Sequence, residues 1–115
     1  MDFKDNRPIY LQIAALVCAR IVEGEWQERI PSVRDLGSEL GVNPNTCMRS
    51  YEYLTREDII VIKRGIGYFV AEGAREKIVA MQRREFIEDT LPDIFAQMRS
   101  LGITIEELIK FYHVS

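Results

Sequence analysis

The chain has 115 residues, of which 47% are hydrophobic and 29% charged, a balance typical of one folded domain with a short extension. This composition argues against disorder, and no apolar run approaches the roughly 18 residues of a membrane-spanning helix. The formal net charge of −3 does not by itself indicate a nucleic-acid partner.

The first two predicted elements are helices. Pro8 begins the first, whose apolar residues recur at helical spacing, and we expect it to end near Gly24. The second covers residues 32–40, where Ser32 precedes Asp35 by three residues. In that arrangement, a capping box, each side chain can satisfy a backbone N–H at the helix start.

A third helix is predicted over residues 44–56. Asn43 can cap it, and Pro44 stands at its first position, where a missing N–H costs nothing. Gly41 supplies a permissive backbone between this helix and the one before it. Two capped helices joined by a tight turn are the pattern of a helix-turn-helix. Four residues at helical spacing should point into the core, namely Cys47, Ser50, Tyr51 and Leu54.

The opposite face of this third helix carries polar and basic residues, among them Asn45, Arg49 and Arg56. Asparagine pairs with adenine and arginine with guanine or phosphate, and a helix-turn-helix directs the start of its second helix toward the bases. An ordinary solvated face is the alternative, but the two caps and the tight turn favour contact with DNA. Residues 31–70 carry five basic and five acidic side chains, so we expect only modest non-specific affinity.

A β-hairpin is predicted next. Residues 59–62 and 68–70 are β-branched or aromatic, and residues 63–67 between them contain two glycines. The tip carries Lys63 and Arg64, which suit a phosphate or the minor groove of DNA. Three helices followed by a hairpin make a winged helix-turn-helix, so the predicted fold is mainly α with a small β-hairpin.

Beyond the hairpin, apolar residues again recur at helical spacing, and Pro92 should kink or interrupt that helix. After Gly102, Thr104 can cap a last helix. Two helices cannot bury so much apolar surface alone. Some of it could pack on the winged domain, and the rest requires a partner, most simply a second copy of the chain. We therefore predict a winged helix-turn-helix domain over residues 1–72 and a two-helix dimerisation tail over residues 73–115.

Residues 30–70 closely resemble the GntR family of bacterial transcription regulators. The resemblance lies in IPSVRDLGSELGVNPNTCMRSYEYL and RGIGYFV, and residues 8–13 look like that family's first helix. The short tail and the turn at residues 43–46 resemble its YtrA-like branch. The resemblance implies a homodimeric repressor that binds double-stranded DNA at an inverted-repeat operator. Members of this branch often control transporter operons.

The family's DNA-contacting positions correspond here to Arg34, Asn43, Asn45, Thr46, Arg49, Arg64 and Gly65. Several positions depart from the family pattern. Met48 and Pro44 stand where other members often carry a basic residue, and Asp58 stands where glycine is usual. Ile66 replaces a common basic or polar residue of the wing. These departures bear on the operator and the affinity more than on the fold.

Catalysis and metal binding find no support in the sequence. Cys18 and Cys47 form neither a CxxC pair nor a metal-binding spacing, and His113 is the single histidine. No nucleophile, base and orienting group cluster together, so we expect no enzyme and no cofactor. Residues 1–5 lack the pattern of a secretion signal, which predicts a cytoplasmic protein with reduced thiols. Whether a small-molecule effector exists is left open.

Two alternatives accompany the DNA-binding hypothesis. The acidic balance and the missing basic residue at Met48 allow a winged module that binds protein or RNA without specific DNA binding. Oxidation of Cys47 would disturb the packing of the third helix, which suggests a redox switch. A buried, unreactive thiol is the simpler interpretation of Cys47.

Overall fold

The computed structural model describes residues 6–115, so the interpretation of residues 1–5 lies outside the described part of the chain. The chain divides into two compact units, of which the first ends at Val79 and the second covers residues 80–115. The domain border expected after residue 72 stays a prediction. The regular elements are, in chain order, α1 (Ile9–Val22), α2 (Val33–Leu40), α3 (Pro44–Arg56), β1 (Ile60–Lys63), β2 (Gly67–Val70), α4 (Ala74–Glu85), α5 (Leu91–Leu101) and α6 (Ile105–Val114).

The first unit has an apolar core built around α3, which packs against α1, α2 and β1. The α3 face predicted to point inward is confirmed, because Cys47, Ser50, Tyr51 and Leu54 are all buried. Each large apolar side chain buried in this way stabilises the fold by about 1.5–3 kcal/mol. The remaining fully buried side chains of this core include Ile13, Val17, Leu36, Ile59, Ile60 and Ile78.

The predicted hairpin is confirmed, and a segment outside it joins its sheet. β1 and β2 pair antiparallel, with Ile60 opposite Val70. Arg29 forms a bridge with Phe69, and the Val70 N–H donates to the Glu28 carbonyl at 2.7 Å. The segment just before α2 therefore runs along β2 as a third, short strand-like piece of the wing. No strand is predicted from the sequence between Gly24 and the second helix.

The end of α3 has a left-handed residue that is not glycine. Asp58 has φ +60°, and its N–H donates to the Thr55 carbonyl at 3.1 Å. The Ile59 N–H donates to the Leu54 carbonyl at 2.9 Å, which completes a Schellman motif. The chain thus ends this helix with the backbone geometry that glycine favours, although aspartate occupies the position.

In the second unit, the proline predicted to interrupt a helix follows a widened turn. A π-helical turn covers Phe86–Thr90, and the Leu91 N–H donates to the Phe86 carbonyl, five residues back. Pro92 is the second residue of α5, separated from this turn by Leu91. The helical backbone therefore continues through Pro92, because the preceding turn changes from i→i−4 to i→i−5 hydrogen bonds instead of ending the helix.

The last helix is well capped but has no buried residue. Thr104 and Glu107 exchange hydrogen bonds at the start of α6 in a complete capping box, as Thr104 was predicted to cap it. Of the side chains in residues 80–115, only those of Met81 and Met98 are buried in the described structure. The large apolar side chains of α6 lie exposed, namely Ile105, Leu108, Ile109, Phe111, Tyr112 and Val114.

Candidate nucleic-acid interface

The start of α2 presents Arg34 to solvent. The Ser32 hydroxyl accepts a hydrogen bond from the Asp35 N–H at 3.1 Å, which fixes the first turn. The return bond from Ser32 to the Asp35 carboxylate does not form among the described residues, so only half of the predicted capping box exists. Aspartate is one methylene shorter than the glutamate or glutamine that this box prefers. Arg34 is exposed at the second position of α2.

The turn between α2 and α3 depends on two glycines. Gly41 ends α2 in the left-handed conformation, with φ +70°. Gly37 lies within α2 itself, and a Cβ added to it would stand 2.8 Å from the Val42 carbonyl oxygen. The Val42 N–H also donates to the Gly37 carbonyl at 2.9 Å. Gly41 is predictable from the sequence, but Gly37 is not, because its importance comes from a close approach of two backbone segments.

The start of α3 is capped as predicted. The Asn43 side-chain oxygen accepts a hydrogen bond from the Asn45 N–H at 2.8 Å, and Pro44 takes the first helical position. Asn45 is exposed, while Thr46 is half-buried. Because its oxygen is engaged in the cap, Asn43 keeps its amide N–H groups for a partner. Asn43 therefore combines a structural role with whatever contact it makes outside the chain.

Arg49 is oriented by an aromatic ring from α1. Its guanidinium carbon lies 4.3 Å from the centre of the Tyr10 ring, a cation–π distance. The neighbouring Ser50 hydroxyl donates to the Tyr10 carbonyl at 2.6 Å, which fixes the start of α1 against α3. Arg49 nevertheless stays exposed. Tyr10 lies off the apolar stripe of α1, so helical spacing gives no sign of this contact.

The tip of the wing is a tight turn that exposes Arg64 and Gly65. The Ile66 N–H donates to the Lys63 carbonyl at 2.9 Å, and Gly65 has φ +76°. A positive φ at the third residue of a four-residue turn is easy for glycine and strained for most others. The Lys63 ammonium lies 4.3 Å from the centre of the Phe69 ring. The turn is therefore stabilised by the glycine at its third position and by the contact between Lys63 and Phe69.

Met48 connects α3 to the wing. Its sulfur accepts a hydrogen bond from the Tyr68 hydroxyl at 3.5 Å. The Tyr68 ring in turn packs edge-on against Tyr51, with ring centres 4.8 Å apart. Burial raises the pKa of Tyr51, and its hydroxyl donates to the Pro31 carbonyl at 2.7 Å. Where related sequences often carry a basic residue, this chain thus has a side chain that joins the helix to the hairpin.

The charges of this surface are not neutralised internally. Ion pairs in the described part of the chain include those of Arg20 with Glu39 and with Glu25, and all three residues lie outside the predicted contact set. Arg34, Arg49 and Arg64 have no carboxylate within ion-pair distance among residues 6–115. Unpaired guanidinium groups are suited to phosphate, to which they bind through parallel N–H groups.

Cys47 is fully buried in the core, and burial raises the pKa of its thiol. A protonated, inaccessible thiol reacts poorly, which favours the unreactive interpretation over the redox switch. Within residues 6–115, no group of three or more histidine, cysteine, aspartate or glutamate side chains is arranged to hold a metal ion. None of the helices described is long and apolar enough to cross a membrane.

Comparison with known families decides the identity of this fold. Residues 9–70, from the start of α1 to the end of β2, match the model of "Bacterial regulatory proteins, gntR family". The chain belongs to the GntR family of bacterial transcription regulators. The match covers the whole helix-turn-helix and its wing, which are the parts that carry the predicted contact residues.

Relatives extend the GntR likeness beyond the winged head. The chain is 37% identical to the uncharacterised HTH-type transcriptional regulator YhcF of Bacillus subtilis (strain 168), over 95% of this chain and 90% of that protein. It is 30% identical to the HTH-type transcriptional repressor YtrA of the same strain, over 94% of this chain and 84% of YtrA. A GntR-family regulator from Bacteroides thetaiotaomicron has a crystal structure with a TM-score of 0.80 and 46% identity, covering 90% of this chain and 93% of that one.

These findings confirm the predicted GntR membership, the likeness to the YtrA-like branch and the winged helix-turn-helix with a helical C-terminal tail. As a GntR regulator, the protein is a DNA-binding transcription regulator, and its family is one of regulators rather than enzymes. The alternative of a winged module without specific DNA binding is correspondingly disfavoured.

Proposed function

We propose that this GntR regulator is a homodimeric repressor of the bacterial cytoplasm that binds an inverted-repeat operator. Each copy of α3 would enter one major groove, with its first residues toward the base edges. The observation that carries the proposal is the start of α3, where a cap and a leading proline fix the helix and the Tyr10 ring holds Arg49 at 4.3 Å. The relative YtrA is named a repressor, which supports repression over activation.

The proposed contacts fall on three elements. At the start of α3, Asn43, Asn45 and Thr46 would meet base edges or the adjoining backbone, and Arg49 would reach a guanine or a phosphate. Arg34 would bind a phosphate from the start of α2. Arg64 and Gly65 would approach the sugar–phosphate backbone or the minor groove from the wing. Met48 would contribute to the position of the wing through Tyr68 instead of contacting DNA.

The tail supports the proposed homodimer. Half or more of the accessible surface of Ile105, Ile109 and Phe111 is exposed, and Leu108 is 37% exposed. Contiguous apolar surface of this kind marks an interaction site, and two-fold symmetry lets one such face bind a second copy of itself. A two-fold dimer in turn requires a two-fold related DNA site, which is an inverted repeat.

Footprinting on the DNA upstream of the protein's own gene tests this function. We expect two protected half-sites whose centres lie about 34 Å apart, or a multiple of that distance. Arg34→Ala and Arg49→Ala should weaken protection, whereas Arg83→Ala, an exposed arginine of α4, serves as the matched control. Transcription in vitro from the same promoter should fall when the dimer is added. Equal binding to scrambled DNA, or tighter binding to RNA, would contradict the proposal.

A further inference from the structure

The wing turn is held by a side chain that lies outside the wing. The Arg29 Nη2 donates a hydrogen bond to the Ile66 carbonyl oxygen at 2.6 Å. The same guanidinium lies against the backbone of Gly67, because a Cβ added there would stand 3.2 Å from Nη2 and 3.3 Å from Nε. Arg29 therefore touches the residue that closes the turn and the residue that begins β2.

The backbone of Arg29 is itself anchored to the wing. Arg29 is bridged to Phe69, the Ile30 N–H donates to the Tyr68 carbonyl at 3.0 Å, and the Val70 N–H donates to the Glu28 carbonyl at 2.7 Å. Hydrogen bonds thus flank Arg29 on both sides. A side chain that starts from a fixed backbone loses less conformational entropy when it forms a contact.

The described partner of the Arg29 guanidinium is a backbone carbonyl and not a carboxylate. Among the described residues no acidic side chain lies within ion-pair distance of it, although the neighbouring Glu28 is acidic. A hydrogen bond from a charged donor is stronger than one between neutral groups, and the planar fork of arginine allows it to lie flat on a peptide. Lysine has the charge but not that geometry.

We propose that Arg29 is a positioning residue of the DNA interface, which locks the turn of residues 63–66 in the conformation that presents Arg64 and Gly65. The inference rests on the proposed function, because it requires that the wing contacts DNA. Without Arg29 the turn samples more conformations, and DNA must order it on binding at a cost in affinity. Arg29 acts through the wing and does not itself read the operator.

A double-mutant cycle on the full-length dimer tests this role, with affinity measured by fluorescence anisotropy on the footprinted operator. Arg29→Ala and Arg29→Lys should each weaken binding about tenfold, the scale of one charge-assisted hydrogen bond. On an Arg64→Ala background, Arg29→Ala should have little further effect. Wild-type affinity in Arg29→Lys, or additive effects in the double variant, would overturn the proposal.

A second readout needs no DNA and separates this inference from the proposed function. Hydrogen exchange at the Ile66 amide, which bonds the Lys63 carbonyl, should speed up about tenfold in Arg29→Ala and stay unchanged in Arg64→Ala. Unchanged exchange in Arg29→Ala, with the fold intact by circular dichroism, would also overturn the role of Arg29. Faster exchange in Arg29→Ala, together with a wild-type protein that does not bind DNA, would uphold the contact of Arg29 with the turn and refute the proposed binding to an operator.

Discussion

Asp58 holds a backbone conformation that glycine adopts more easily. It is the one non-glycine residue with positive φ in the part of the chain described, and it closes the Schellman motif after α3. The left-handed conformation costs an L-residue roughly 1–2 kcal/mol, less for aspartate, and the greater freedom of unfolded glycine offsets part of the gain.

We therefore expect Asp58→Gly to stabilise the protein by about 0.5–1 kcal/mol. Thermal unfolding followed by circular dichroism should show a rise in Tm of a few degrees. Asp58→Ala is the control, because alanine lacks both the freedom of glycine and the local hydrogen bonding of aspartate, and it should lower Tm. A lower Tm in Asp58→Gly would show that the aspartate side chain contributes more than its backbone strain costs.

The contact between Tyr10 and Arg49 has a measurable consequence for DNA binding. Tyr10→Leu removes the ring face under the guanidinium, whereas Tyr10→Phe keeps it. We expect the leucine variant to bind the operator about fivefold more weakly, equivalent to about 1 kcal/mol, and the phenylalanine variant to match the wild type. On an Arg49→Ala background the two Tyr10 variants should bind alike. A persistent difference there would mean that Tyr10 acts on binding by another route.

At the scale of elements, the α2–α3 turn depends on Gly37. Its missing Cβ leaves room for the Val42 carbonyl, which would be 2.8 Å away from that atom. We expect Gly37→Ala to destabilise the protein by about 1–3 kcal/mol, since overpacking forces the backbone apart, and to weaken DNA binding as α3 shifts. Ser38→Ala, at the exposed neighbouring position, should change neither property. Urea unfolding and operator titration measure both, and an unchanged midpoint in Gly37→Ala would contradict the close approach.

The elements predicted best from the sequence are those whose ends are determined by residues close by in the chain. The bounds of α3 were predicted to the residue because Asn43 and Pro44 mark its start through neighbouring backbone groups. The strand-like segment at residues 28–30 was missed because its partner, β2, is distant in sequence. Pro92 indicated an irregular helix, but a proline alone does not predict that a π-helical turn will precede it.

Some features of the candidate site could also be predicted from the sequence, and others could not. The exposed side of α3 could be predicted, since helical period and caps decide which residues face outward. The contacts of Arg49 with Tyr10 and of Arg29 with Ile66 could not, because each joins side chains from separate elements. Positioning residues of this kind become visible only once the tertiary arrangement is known.

The oligomeric state of the whole molecule is proposed to depend on α6, whose apolar surface lies exposed and includes Leu108. We expect Leu108→Glu to convert the dimer into a monomer, because a buried, unpaired carboxylate is costly at an interface. Sedimentation velocity measures the mass, and Lys110→Glu adds a negative charge to the same helix as the control. A dimeric Leu108→Glu protein would place the interface elsewhere.

The proposal that a homodimer reads an inverted repeat is tested most directly by titrating the dimer on two duplexes, with the stoichiometry determined by sedimentation. One duplex carries both half-sites of the footprinted operator, and the other has one half-site scrambled. We predict two chains per intact operator, and an affinity at least about a hundredfold lower on the scrambled duplex, since one recognition helix loses its base contacts. One chain per duplex, or equal affinity for both, would contradict a homodimer that reads an inverted repeat through α3.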